Sequence, residues 1–297
     1  MTDMALCKVC GRVTQLQLLS NKSTSDNEID CSWSWCSFCG SAFKVTILDP
    51  TDSKFHHMRR EWGDKARIRP YLDEKEQLYD FLIDQMDHHN FPKGKLLDVE
   101  SSWGGLVLKA REKGYNPIAM DINPDCINYL NKLSIPGYCI SSLKSLLGKV
   151  DNLQIILMID VIYYFDNFFM ELKYAFELLE PGGWIVIRNP NKIALLHLSE
   201  LIGKVSRKIS KKIFNRTVYD HNFVLNTAYF RKMLGEVNFR LIREQPDPSR
   251  TYMSYKKYGI KWKRDIFPML VYKGALDIYR LTGKNYSPGV ILWLQKQ

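Results

Sequence analysis

The chain has 297 residues, 45% of them apolar and 25% charged, with 42 Lys and Arg against 32 Asp and Glu. That balance is globular and excludes wholesale disorder and collagen-like order; the length suits one large domain or two modest ones. No apolar stretch approaches the roughly 18 residues of a membrane span, and the N-terminus lacks a basic region leading into an apolar block, so the expectation is a cytoplasmic protein, with peripheral membrane contact open. The net charge of +10 is unevenly spread: residues 1–191 balance to −4, whereas residues 192–297 carry 21 basic and 7 acidic side chains and balance to +14. A basic third of this kind suits an anionic partner, which could be RNA, an anionic membrane surface or a phosphate-bearing substrate. The alternative is a solvated basic face.

Four of the seven cysteines form two pairs, Cys7-Lys-Val-Cys10-Gly11 and Cys36-Ser-Phe-Cys39-Gly40. Each pair suits a tight turn that points two thiolates at one ion, with glycine accepting the strained φ. Two such turns make a closed tetrahedral set, the coordination of structural zinc. A disulfide framework is disfavoured in a large cytoplasmic chain. Residues 1–48 therefore read as a zinc ribbon ligated by Cys7, Cys10, Cys36 and Cys39. Cys31 reads as a thiol on a ribbon strand, and Cys126 and Cys139 as core. Residues 49–93 read as a linker and leading helix.

From residue 94 short apolar runs alternate with helical periodicity. Strands are predicted at Lys95–Val99, Pro117–Asp121, Gly137–Ser141, Leu153–Ile159 and Trp184–Ile187. Helices are predicted at about 105–113, from about 125, and at about 167–179, the last ending at Pro181-Gly182-Gly183. This is a doubly wound α/β domain with a mostly parallel sheet, over residues 94–245. Ligands bind such sheets at the carboxyl ends of the strands, which directs attention to Asp98–Gly105, Asp121, Ser141 and Ser142, Asp160–Tyr164 and Arg188–Asn191.

The order Leu96-Leu-Asp-Val99, Gly104-Gly105, Met120-Asp121-Ile122, Asp160-Val161-Ile162 and Leu179-Glu-Pro-Gly-Gly183 resembles the class I S-adenosylmethionine-dependent methyltransferases. With the ribbon in front, it is similar to a bacterial subgroup associated with methylating sugars in glycans and natural products. The resemblance implies a Rossmann-like methyltransferase fold, with S-adenosylmethionine (SAM) held by Asp98, Glu100, Ser102, Gly104, Asp121, Ile122 and Asp160. Asp121 would accept hydrogen bonds from the ribose hydroxyls and Asp98 would approach the cofactor's ammonium group. Ile122 and Leu143 would flank the adenine. The first loop departs from the family's Gly-x-Gly-x-Gly: Glu100 and Ser102 replace two glycines. Glu100 can pair with the cofactor ammonium or occupy the methionine position.

Candidates for the transfer step follow the fourth strand and the insertion. Tyr163 and Tyr164 could wall the methyl or pack in the core. His221 resembles a family histidine that could act as general base or bind substrate. Residues 192–216 form a basic helical insertion in which Ile202, Val205, Ile209 and Ile213 recur at spacings of three and four among lysines. It could lie on an anionic membrane, grip phosphates, or pack its apolar face on the domain. Residues 246–297 read as a basic, aromatic C-terminal extension with Tyr252, Tyr255, Tyr258 and Trp262. The leading functional expectation is methyl transfer to a hydroxyl of a sugar or lipid-linked glycan. The alternatives are an RNA methyltransferase and a non-catalytic relative with an altered cofactor loop.

Overall fold

The computed structural model describes residues 4–19, 23–24, 30–45, 68–218, 221–247 and 262–297. The linker up to residue 67, Tyr252, Tyr255 and Tyr258, and the side chains of Cys31 and Trp262, lie outside the described residues.

The N-terminal module is made of short strands: β1 (Met4–Leu6), β2 (Val13–Gln15), β3 (Gln17–Leu18), β4 (Ser23–Thr24), β5 (Asp30–Cys31), β6 (Trp33–Trp35) and β7 (Ala42–Lys44). Pairs β1–β2 and β6–β7 are antiparallel, and each brackets one cysteine pair. Helix α1 (Ile68–His88) follows and buries Leu78, Leu82 and Met86, spaced four apart along one face.

Strand and helix then alternate: β8 (Lys95–Val99), α2 (Gly105–Glu112), β9 (Asn116–Asp121), α3 (Pro124–Lys132), β10 (Gly137–Cys139), β11 (Leu153–Ile159), α4 (Phe168–Leu178) and β12 (Leu179–Pro190). The remainder is α5 (Ile193–Gly203), α6 (Arg207–Val218), β13 (Phe223–Val224), α7 (Thr227–Met233), β14 (Phe239–Pro246), α8 (Trp262–Thr282) and β15 (Gly289–Lys296). The main sheet runs β10-β9-β8-β11-β12-β15-β14; its first five strands are parallel and β15 is antiparallel to both neighbours. This is the doubly wound Rossmann-like fold that the alternation predicts. Strand order reverses between β8 and β11, which places the ligand crevice above their carboxyl ends. β11 is buried on both faces, which explains its nearly continuous apolar run.

Four expectations are corrected. The last described strand of residues 246–297 is not an extension to the domain: β15 lies between β12 and β14, with Ile291, Leu292 and Leu294 wholly buried, so the sheet is complete only with this strand. Pro181-Gly182-Gly183 is not the turn after α4. The helix ends at Leu178, and the three residues sit inside β12, where the pairing with β11 shifts between Leu153 and Ile155. Cys139 is exposed because β10 is the sheet edge. The basic insertion is a helical hairpin, α5 against α6. Its packed face uses Leu196, Ser199, Ser210, Phe214 and Val218, so Val205 and Ile209 of the predicted apolar stripe face outward.

The ribbon is welded to the domain at several points. β13 joins the ribbon sheet beside β7. Trp33 and Ala42 share a core with Leu196, Phe214 and Val218 of the hairpin, and Trp35 stacks on His197 at 4.6 Å. The ribbon therefore forms the floor on which the hairpin rests.

Candidate active site

The first loop keeps the backbone that glycines would give it. Glu100 has φ 58° and Ser102 has φ 49°, the left-handed conformation that costs a residue with a side chain about 1–2 kcal/mol. Gly104 has φ 79°, and a Cβ there would lie 2.3 Å from Leu130 Cδ2, so this glycine is required for seating α2 against α3. Strain of this kind persists where surrounding contacts impose it, which is common at binding sites. The contacts are visible: Asp121, at the end of β9, accepts from Ser102 N through Oδ2 and from Asn123 N through Oδ1, both at 2.7 Å. Ser101 N donates to Met120 O at 2.9 Å.

Three carboxylates converge here. Asp98 and Asp121 are 4% and 5% exposed, and Glu100 is half-buried. Burial pushes Asp98 up to about 8; Lys75 of α1 opposes the shift and Asp121 adds to it. Burial, then Asp121 and Asp98, raise Glu100 well above the usual carboxylate range. Burial raises Asp121 against the pull of its two backbone donors. Such a cluster suits a cationic ligand, which favours the ionised forms. The buried Oγ of Ser101 has no hydrogen-bond partner, leaving a polar atom for a ligand to meet. These features fit a cofactor carrying ribose hydroxyls, an ammonium and a sulfonium.

The raised values set the sign of a pH effect. Carboxyls with pKa raised on folding favour the folded state below their ordinary range near 4, and that contribution is lost as pH rises through the folded value, about 8 for Asp98. Glu100→Gly removes one of these groups together with its left-handed strain. It is expected to stabilise the ligand-free protein by about 1–2 kcal/mol, a few degrees in melting temperature. It should also flatten the decline of melting temperature between roughly pH 5 and 9. Thermal denaturation across that range checks both; a lower melting temperature in the variant at every pH would count against this account of the loop.

The other expected cofactor residues divide. Ile122 is half-buried at the end of β9, open to a planar ligand. Leu143 is wholly buried in the core, and its N–H donates to Glu171, so it is not an adenine wall. Asp160 (φ 59°) is drawn into an ion pair with buried Arg188, which also binds Asp247 through two hydrogen bonds at 2.9 and 2.6 Å. Asp247 carried no signal in the sequence, because its role depends on β14 lying two strands from β12.

The residues expected to act on the acceptor are brought together beyond β11. The His221 ring stacks on Tyr163 at 3.9 Å and 17°. Tyr163 lies against Tyr164, with ring centroids 4.7 Å apart. Asn222 N and Nδ2 bond the carbonyls of Tyr163 and Tyr164 at 2.8 and 2.7 Å. Lys192 Nζ stands 3.4 Å from His221 Nε2 and donates to Thr217 O at 3.0 Å. Lys192 and Asn222 were not among the sequence candidates, since their roles come from the insertion folding back on β11.

The four cysteines also meet. Their sulfurs all lie within 4.8 Å of one another, with Cys7–Cys39 and Cys10–Cys36 each 3.7 Å apart. A tetrahedral ion with bonds of about 2.3 Å sets its sulfurs about 3.8 Å apart, whereas a disulfide requires about 2.05 Å. Gly11 (φ 66°) and Gly40 (φ 61°) close equivalent turns, each donating N–H to the first cysteine of its pair. Both turns dock on helix caps: Gly11 lies against Asn167, which caps α4, and Gly40 against Asn226, which caps α7.

A methyltransferase-domain family profile matches residues 55–244. The chain belongs to this methyltransferase family. It is therefore a SAM-dependent methyltransferase, and the matched residues include the loop at Glu100–Gly104 and Asp121. No curated protein matches the chain. Solved structures of similar fold include a SAM-dependent methyltransferase from Archaeoglobus fulgidus (15% identity, 76% of this chain and 99% of that one, TM-score 0.46). Others are the plantazolicin methyltransferase BpumL complexed with SAH (16%, 84% and 92%, 0.46) and the mycolic acid cyclopropane synthase CmaA1 complexed with SAH and CTAB (16%, 69% and 79%, 0.47). At these scores the likenesses add no argument about substrate. The methyltransferase has no described helix long and apolar enough to cross a membrane.

Proposed function

We propose that the enzyme transfers a methyl group from SAM to a hydroxyl of a sugar or glycan. The observation that carries this reading is the stack of His221 on Tyr163 at the carboxyl end of β11. SAM supplies a methyl on a sulfonium, an electrophile with a neutral leaving group, so the protein must align the acceptor and remove its proton. Neighbouring strands lie about 4.8 Å apart, so the end of β9 and the end of β11 are about 10 Å apart, a span that suits a nucleoside at one end and an acceptor at the other. Asp121 binds the ribose hydroxyls, Asp98 and Glu100 face the ammonium, and Ile122 covers the adenine.

On the acceptor side Tyr163 and Tyr164 hold the hydroxyl beside the imidazole. His221 Nε2 takes its proton when Lys192, which also has Thr217 O as an acceptor, releases that nitrogen. Beside Asn191, whose Nδ2 lies 3.5 Å from Asn285 O, the buried Nδ2 of Asn285 has no partner, and an unpaired amide donor of this kind suits a polyhydroxylated acceptor. We further propose that the four cysteines hold a structural zinc, since four protein ligands leave no open position.

The test is incubation of the enzyme with SAM and oligosaccharide acceptors, with mass spectrometry to locate the added methyl on oxygen. His221→Asn is expected to lower kcat about 100- to 1,000-fold with cofactor affinity unchanged. A methyl found on nitrogen or carbon, or undiminished turnover by the variant, would overturn the reading.

A further inference from the structure

We infer that the α5–α6 hairpin is a docking surface for an anionic phospholipid membrane. It presents two features together. Along α5 and over its tip, Leu195, Leu198, Leu201, Val205 and Ile209 are exposed, Leu201 by 62%, Val205 by 92% and Ile209 by 54%. Around them stand Lys204, Arg207, Lys208, Lys211 and Lys212, all exposed, while the hairpin's one acid, Glu200, accepts from Trp35 Nε1 at 3.2 Å. Aliphatic side chains left in water at the centre of a positive cluster are costly for a surface whose other residues pack well. An anionic bilayer satisfies both, taking the aliphatic tips below its headgroups and pairing the basic rim with lipid phosphates.

Other occupants fit less well. Single-stranded RNA is gripped by basic grooves lined with aromatic rings on which bases stack, but the hairpin's described aromatic rings already have ring partners: Phe214 is buried against Trp33, and His197, though exposed, is stacked on Trp35. A second copy docked about a two-fold axis would set this positive surface against itself. The hairpin is also held from beneath by the ribbon core and by the Ser210 Oγ bond to Ser199 O at 2.6 Å, while Val205 at its tip is 92% exposed.

The test uses the full-length protein in co-sedimentation with vesicles of phosphatidylcholine alone and of phosphatidylcholine mixed with phosphatidylglycerol. Two triple variants are compared, Lys204→Gln/Arg207→Gln/Lys208→Gln and Leu201→Gln/Val205→Gln/Ile209→Gln, with thermal melts confirming that these exposed positions leave the fold intact. The wild type is expected to bind only the anionic vesicles. The basic variant should bind about 100-fold more weakly, and the aliphatic variant at least about 10-fold more weakly. Three results would overturn the proposal. One is no binding to anionic vesicles at low salt. Another is equal vesicle binding by the aliphatic variant, accompanied by RNA binding that only the basic variant loses. The third is a dimer in light scattering that the aliphatic variant converts to monomer.

Discussion

Cys36→Ser is expected to abolish metal binding and unfold the N-terminal module. Structural zinc binding to four thiolates is worth about 10–16 kcal/mol in small domains, and the ribbon's strands of two or three residues cannot hold together without it. The damage should extend beyond the ribbon. Cys7, Cys10, Cys36 and Cys39 belong to the same core as Phe168, Phe223 and Phe230, and Phe168 N donates to Lys8 O at 2.8 Å. Releasing that core frees β13, and with it His221 and Asn222, from their place beside Tyr163. Chelation of the wild type should reproduce the effect: one zinc released per chain, loss of methyl transfer, and partial loss of near-ultraviolet circular dichroism. Because the main sheet contains none of these four cysteines, the far-ultraviolet signal should largely remain. Full activity after complete removal of the metal would refute a structural role.

Asp121→Ala should be the most damaging single change at the cofactor end. It leaves the amides of Ser102 and Asn123 without their acceptor, at about 1–3 kcal/mol each when buried, and deletes the proposed partner of the ribose hydroxyls, at about 1.5–3 kcal/mol. The expected result is a loss of cofactor affinity of about 10- to 150-fold by calorimetry, with a stability loss of about 2–4 kcal/mol in denaturant. Asp121→Asn retains one acceptor oxygen and should fall between. Unchanged affinity in the alanine variant would move the ribose away from β9.

The five parallel strands of the sheet were legible because their signals are local. β8 and β11 are apolar runs of strand length with the observed bounds, and the two cysteine pairs specify one site from spacing alone. The last quarter was not legible, because β15 sits between β12 and β14 by virtue of pairings about a hundred residues apart along the chain. For the same reason Asp247 gave no hint that it would share Arg188 with Asp160. The insertion was half legible: its helical period and charge are plain, but the face that packs is decided by Trp33, Phe214 and Val218 meeting across the ribbon. At the cofactor loop the missing glycines were visible, whereas the survival of their backbone conformation at Glu100 and Ser102 was not. Local sterics alone argue against it, and the loop's amide bonds, Ser102 N to Asp121 and Ser101 N to Met120 O, prevail.

The central claim is that this altered loop still binds SAM, and calorimetric titration of the folded, zinc-replete protein with SAM and S-adenosylhomocysteine tests it most directly. The account predicts micromolar binding of both. It also predicts proton release on SAM binding, detected as a heat that changes with the ionisation enthalpy of the buffer, since a cation favours ionised Asp98 and Glu100. Absence of heat and of any thermal shift from a folded sample would contradict it, and would mean that Glu100 fills the place of the methionine group.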